Sequence, residues 1–109
     1  MLEPLLNTRN KEEILLYLFA NKEGYAREIS RFYGKSLCPI QNQLDKLEYG
    51  NVLVSKLSGK TRIYFFNKRY PFLKELYILL EKAMSFLPDE ERRKLLLVRK
   101  RPRRKGKPF

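Results

Sequence analysis

Histidine is absent from this chain of 109 residues, and cysteine occurs once, at Cys38. A lone thiol closes no internal disulfide, in keeping with a reducing compartment. Zinc sites built from Cys pairs or from Cys and His cannot be assembled from these residue types. No glycine-rich phosphate loop and no paired acids in an evident cleft accompany the missing histidine, so neither catalysis nor a cofactor is expected. No apolar run approaches the ~20 residues that span a bilayer. The opening MLEPLLNTRNKEE lacks the charged-then-apolar order of a secretory signal. The expected location is the cytoplasm, with no membrane partner. No internal repeat is visible.

Acidic residues are scarce as well, 12 against 24 Lys and Arg, for a net charge of +12. The excess is uneven. Residues 92–109 hold ten basic side chains and no acid, whereas residues 1–91 come to only +2. Arg99, Lys100, Arg101, Arg103, Arg104, Lys105 and Lys107 therefore form a tail that attracts any polyanion without reading sequence. A second acid-free stretch runs between Tyr49 and Lys74 and carries Lys56, Lys60, Arg62, Lys68 and Arg69. With 43% hydrophobic residues the chain has enough apolar material for one modest folded domain.

Periodicity divides that material. Ile14, Leu15, Leu18 and Phe19 predict a helix over 10–21, with Asn10 and Glu13 as a capping-box start. A shorter helix follows over 25–33, with Ala26 and Ile29 inward, Arg27, Glu28 and Arg31 outward, and Gly34 as terminator. Ser36 and Pro39 open a third helix, whose stripe Ile40, Leu44, Leu47 leaves Gln41, Asn42, Gln43, Asp45 and Lys46 on the remainder. It should stop near Tyr49-Gly50-Asn51. Val52–Leu57 and Arg62–Phe66, joined by Ser58-Gly59-Lys60-Thr61, predict a hairpin. A fourth helix from Tyr70-Pro71 to about Phe86 carries Phe72, Leu73, Leu76, Tyr77, Leu79, Leu80, Ala83 and Met84 on more than one face, with Leu87 beyond. One apolar stripe suffices for a surface helix, so the surplus points to burial on two sides. Pro88-Asp89-Glu90-Glu91 begins a fifth helix to about Lys100. The expected divisions are 1–87, a C-terminal helix over 88–100, and a disordered basic tail over 101–109.

The order helix, helix, turn, helix, basic hairpin, helix is that of a winged helix-turn-helix: mainly α, a small β-hairpin, and additional C-terminal helices. At residue level the chain resembles ArsR-type and related MarR-type bacterial and archaeal transcriptional regulators. Ala26-Arg27-Glu28-Ile29-Ser30, Ile40-x3-Leu44-x2-Leu47-Glu48, Asn51-Val52-Leu53 and Gly59-Lys60-Thr61-Arg62-Ile63-Tyr64 carry the likeness, which extends roughly from Lys11 to Leu87. Tyr49-Gly50-Asn51 departs slightly from the family's acidic-x-Gly ending, and the basic tail is not part of the shared pattern. The resemblance implies a homodimer joined through the Phe72–Leu87 helix and the N-terminal region. It also implies a third helix that reads double-stranded DNA.

Several side chains fit that role, each with a plainer alternative. Gln41, Asn42 and Gln43 have the amide chemistry for adenine, and Lys46 that for guanine or phosphate; an ordinary solvated face looks the same. Asp45 would repel phosphate, accept from cytosine or pair with a nearby Lys. Lys35 and Ser36 stand at the helix start, where exposed N–H groups favour a phosphate, and Ser36 is equally a plain cap. Lys60 and Arg62 at the wing suit backbone phosphate or the minor groove, or simply solubility. Cys38 is a small packed residue or a thiol sensitised by the helix N-terminus. Two other functions stay open: a winged-helix interaction or assembly module, and an RNA binder led by the basic tail.

Overall fold

The computed structural model describes residues 2–100. In chain order the elements are α1 (Glu3–Leu6), α2 (Arg9–Asn21), β1 (Glu23–Tyr25), α3 (Ala26–Tyr33), α4 (Leu37–Tyr49), β2 (Leu53–Ser58), β3 (Thr61–Phe66), α5 (Leu73–Ser85) and α6 (Asp89–Lys100). The strands form one antiparallel sheet in the order β1-β3-β2.

α2 is the centre of the packing. Ile14, Leu15, Leu16, Tyr17, Leu18 and Ala20 are all buried, covering most of its circumference. A helix apolar on nearly every side must be enclosed, and α2 touches α1, α3, α4, α5, α6 and two strands. Its start is capped by Thr8, whose Oγ1 accepts the Lys11 N–H at 3.0 Å, and not by Asn10. Both residues have cap chemistry two positions apart, and Asn10 is used elsewhere. α3 buries Ala26, Ile29 and Ser30; Glu28, expected outward, is half-buried.

Two helix ends explain the turns around α4. Gly34 takes φ 65°, and the Lys35 and Gly34 N–H groups return to the Ser30 and Arg31 carbonyls. At the far end Asn51, not the adjacent Gly50, adopts the left-handed conformation at φ 67°. There the Val52 and Asn51 N–H groups close on the Leu47 and Glu48 carbonyls, both at 3.0 Å. Both endings satisfy carbonyls that a helix C-terminus leaves orphaned. The α4 stripe Ile40, Leu44, Leu47 is buried as its spacing implies.

In the wing, Ser58 pairs with Thr61, so Gly59-Lys60 is a two-residue turn whose first residue, Gly59, has φ 65°. That is the hairpin geometry glycine permits. Tyr64, Phe66 and Leu53 face the core. β1 has no counterpart in the sequence reading. Glu23-Gly24-Tyr25 lacks any strand pattern and becomes one only by pairing with Phe65, Tyr64 and Ile63.

α5 begins at Leu73, later than Tyr70-Pro71, and buries Leu80, Ala83 and Met84. Tyr77 and Ile78 stay exposed on it, as do Phe72 and Phe86 at its ends. α6 lies against α2 through Leu95. Among the described residues no helix is long and apolar enough to cross a membrane.

Candidate nucleic-acid interface

α4 presents three kinds of surface. Ile40, Leu44 and Leu47 fix its inner side. Cys38, Asn42, Asp45, Lys46 and Tyr49 recur at helical spacing on the opposite side and are exposed. Between these, Gln41 and Glu48 flank the wing and are bonded to it. Gln41 Nε2 donates to Asp45 Oδ1 at 3.0 Å and to the Tyr64 hydroxyl at 2.9 Å, and that hydroxyl donates to Asp45 Oδ1 at 3.2 Å. Ser55 Oγ donates to Glu48 Oε2 at 2.6 Å and accepts from Arg62 Nη1 at 3.0 Å. Burial is the main reason the Tyr64 phenol is pushed above its usual pKa; the Gln41 hydrogen bond works against it and Asp45 with it.

These bonds redistribute the expected readers. Asn42 and Lys46 are free-standing and outward. Gln41 is spoken for by its own helix and the wing. Gln43 is not on the outer face: it is half-buried on the flank away from the wing, and its Oε1 is enclosed without a partner. The reason is angular, because residue 43 lies one turn from both Ile40 and Leu47. Asp45 pairs with Gln41 and Tyr64 instead of a lysine.

The turn before α4 behaves similarly. Lys35 Nζ forms an ion pair with Glu13 and donates to Asn10 Oδ1 at 2.8 Å. Tyr33 donates to the Glu13 carbonyl oxygen at 2.9 Å. Burial first, then the Glu13 charge, drives the Tyr33 phenol far above its ordinary value. Lys35 and Tyr33 thus brace α3 and its turn on α2. Ser36 occupies the N-cap position of α4, yet its side chain makes no capping hydrogen bond. The plain-cap reading of Ser36 is therefore corrected, and the residue is exposed at the start of α4. Beside the brace, a cavity of about 450 Å³ opens between Glu13, Leu16, Phe32, Tyr33, Leu87 and Leu95.

On the wing, Lys60 is exposed at the tip, and Arg62, also exposed, is steadied by Ser55. Lys56 Nζ lies 5.9 Å from the Phe65 ring centroid, within cation–π range. Arg27 and Arg31 share the exposed side of α3. Tyr49, on the Cys38–Asn42 side of the helical wheel, is 91% exposed. The tail residues Arg101, Arg103, Arg104, Lys105 and Lys107 lie outside the described residues, as do the side chains of Arg99 and Lys100. Among the described residues no group of three or more His, Cys, Asp or Glu is placed to hold a metal ion.

No family model matches the chain, and no curated protein does. Solved structures share its fold. YusO of Bacillus subtilis aligns with TM-score 0.59 at 19% identity, over 90% of this chain and 77% of that one. The transcriptional regulator Tm0710 of Thermotoga maritima gives 0.55 at 19%, over 89% and 74%. A mutant of ZitR from Lactococcus lactis in apo form gives 0.55 at 19%, over 84% and 78%. The chain has the winged helix-turn-helix fold, with α3 and α4 as the helix pair and β2–β3 as the wing. The likeness does not single out the ArsR type.

Proposed function

We propose that the protein is a sequence-specific, double-stranded DNA-binding transcriptional regulator that acts as a homodimer. The observation that carries this reading is the outward face of α4. Asn42, Lys46 and Tyr49 stand exposed there, on a helix bonded to a wing whose tip carries Lys60 and Arg62 and no acid. Two copies of α4 enter successive major grooves of a pseudo-palindromic site, about one helical turn apart. Asn42 reads bases, Lys46 reaches guanine or phosphate, and Ser36 meets a backbone phosphate beside the helix N-terminus. Lys60 and Arg62 contact the flanking backbone. The basic tail adds affinity that falls steeply with salt and carries no sequence preference. The dimer forms on the exposed apolar side of α5 together with α1, where Leu5 is exposed. The protein works in the cytoplasm and is not an enzyme.

The test is competitive binding of purified protein to a duplex pool and to single-stranded RNA, with Lys60→Ala/Arg62→Ala alongside. Tighter duplex binding that weakens in the double variant supports the reading. Equal binding to both, unchanged in the variant, leaves the tail alone responsible and ends it. The second reading, an assembly module, is favoured by the exposed apolar residues of α5 and by the acid on the α4 outer face.

A further inference from the structure

Gln41, Asp45 and Tyr64 close a three-membered ring of hydrogen bonds between α4 and β3. A carboxylate only accepts, so the Gln41 group facing Asp45 must be the amide NH2, which fixes the orientation of the carboxamide. The NH2 group is then engaged on Asp45 Oδ1 and the Tyr64 oxygen together. The Tyr64 proton is used as well, on Asp45. What the ring leaves unspent is Gln41 Oε1 and Asp45 Oδ2, and both are acceptors. A glutamine reads adenine by donating to N7 while accepting from N6, and the NH2 of this glutamine is already engaged within the ring.

Resting on the DNA-binding reading above, we infer that Gln41 and Asp45 form an acceptor-only edge of α4 that selects cytosine, with Tyr64 as the residue that sets this preference from the wing. Cytosine shows the major groove a single donor, N4–H2. Guanine shows two acceptors, thymine an acceptor and a methyl, and adenine an acceptor beside its donor. Only cytosine meets the edge without opposing one acceptor to another. Tyr64 is a positioning residue: it lies in β3, its ring is almost wholly buried, and it acts through Gln41. Specificity is thus shared between the helix and a strand of the wing that is commonly assigned only backbone contact. The raised phenol keeps its proton at neutral pH, so the ring stays closed under working conditions.

The experiment selects bound duplexes from a random pool with wild type, Tyr64→Phe and Asp45→Asn. Tyr64→Phe keeps the buried ring and frees the Gln41 NH2 from the wing; Asp45→Asn alters an exposed residue and puts a donor on the edge. Wild type is expected to fix cytosine at one position per half-site. Both variants are expected to lose that preference by about tenfold relative to adenine there, with other positions unchanged. In the free protein, the Gln41 side-chain amide protons should lie downfield of those of a solvated glutamine and move upfield in Tyr64→Phe. A wild-type consensus unchanged in both variants overturns the inference and leaves DNA reading intact. Unchanged Gln41 signals in Tyr64→Phe overturn it too. A wild type that selects no sequence at all overturns the DNA-binding reading and the inference with it.

Discussion

α4 and α5 are the same length, thirteen residues, and each buries three side chains. They differ in what they leave outside. α4 shows solvent Asn42, Asp45, Lys46 and Tyr49, groups that hydrogen-bond or carry charge. α5 shows Tyr77 and Ile78, with Phe72 and Phe86 at its ends, and Ile78 is 59% exposed. The buried stripes do one job in both helices, which is to hold them on α2. Function is in the residual face. A polar face is complementary to a hydrated groove of base edges and phosphates. An apolar face left in water forgoes roughly 25 cal/mol for each Å² that a partner would cover, and so fits another protein surface.

The comparison breaks most severely at its shared half. Leu44 is fully buried, so Leu44→Ala is expected to cost about 2–5 kcal/mol of folding stability, read from urea unfolding. An effect as small as that of a surface substitution would mean that α4 is not anchored by its stripe. On α5, Ile78→Glu is expected to halve the sedimentation mass at micromolar concentration while changing monomer stability by less than ~0.5 kcal/mol. A mass of one chain already in wild type removes the homodimer. On α4, Lys46→Ala is expected to weaken duplex binding several-fold and to reduce the slope of log affinity against log salt by about 1 if Lys46 contacts phosphate. The same variant should leave the sedimentation mass untouched.

The smallest expected effect concerns the brace that presents α4. The Tyr33 phenol is raised in the folded state, from an unfolded value near ~10. Its neutral form is therefore favoured by folding, and that contribution is complete below pH ~10. It is lost as pH rises further, because the unfolded chain gives up the proton first. Tyr33→Phe should lose about 1 kcal/mol at neutral pH with its hydrogen bond to Glu13. Its melting temperature should then fall less than that of wild type between pH 9.5 and 11.5. Parallel falls would show that Tyr33 is not held as described.

The two helices also divide what could be read from sequence. Ile40, Leu44 and Leu47 were legible because a stripe at i, i+4, i+7 has one geometric meaning. The wing was legible from Gly59 and its flanking β-formers, and the surplus apolar residues of the fourth helix did announce an exposed side. The sequence misplaces Gln43, because a polar side chain implies exposure while this position lies one turn from the core residues Ile40 and Leu47. Gln41 and Lys35 could not be judged at all. Their partners, Tyr64 and Glu13, are distant in sequence and meet them only through tertiary packing. β1 was hidden for the same reason, since its only reason to be a strand is β3. Thr8 and Asn10 compete for one cap, and the neighbour that decides, Lys35, is 25 residues away from Asn10. Tyr49 falls on the outer side of the helical wheel, and the sequence leaves its ring between core packing and base stacking because either use suits an aromatic at a helix end.

Amide NMR mapping tests the contrast between the two helices most directly. Labelled protein titrated with a 20-base-pair duplex should show its largest shifts at Asn42, Lys46, Tyr49 and Lys60, with Tyr77 and Ile78 unmoved. Shifts concentrated on α5, or found only in the basic C-terminal segment while α4 stays silent, would contradict the assignment of DNA reading to α4 and the wing.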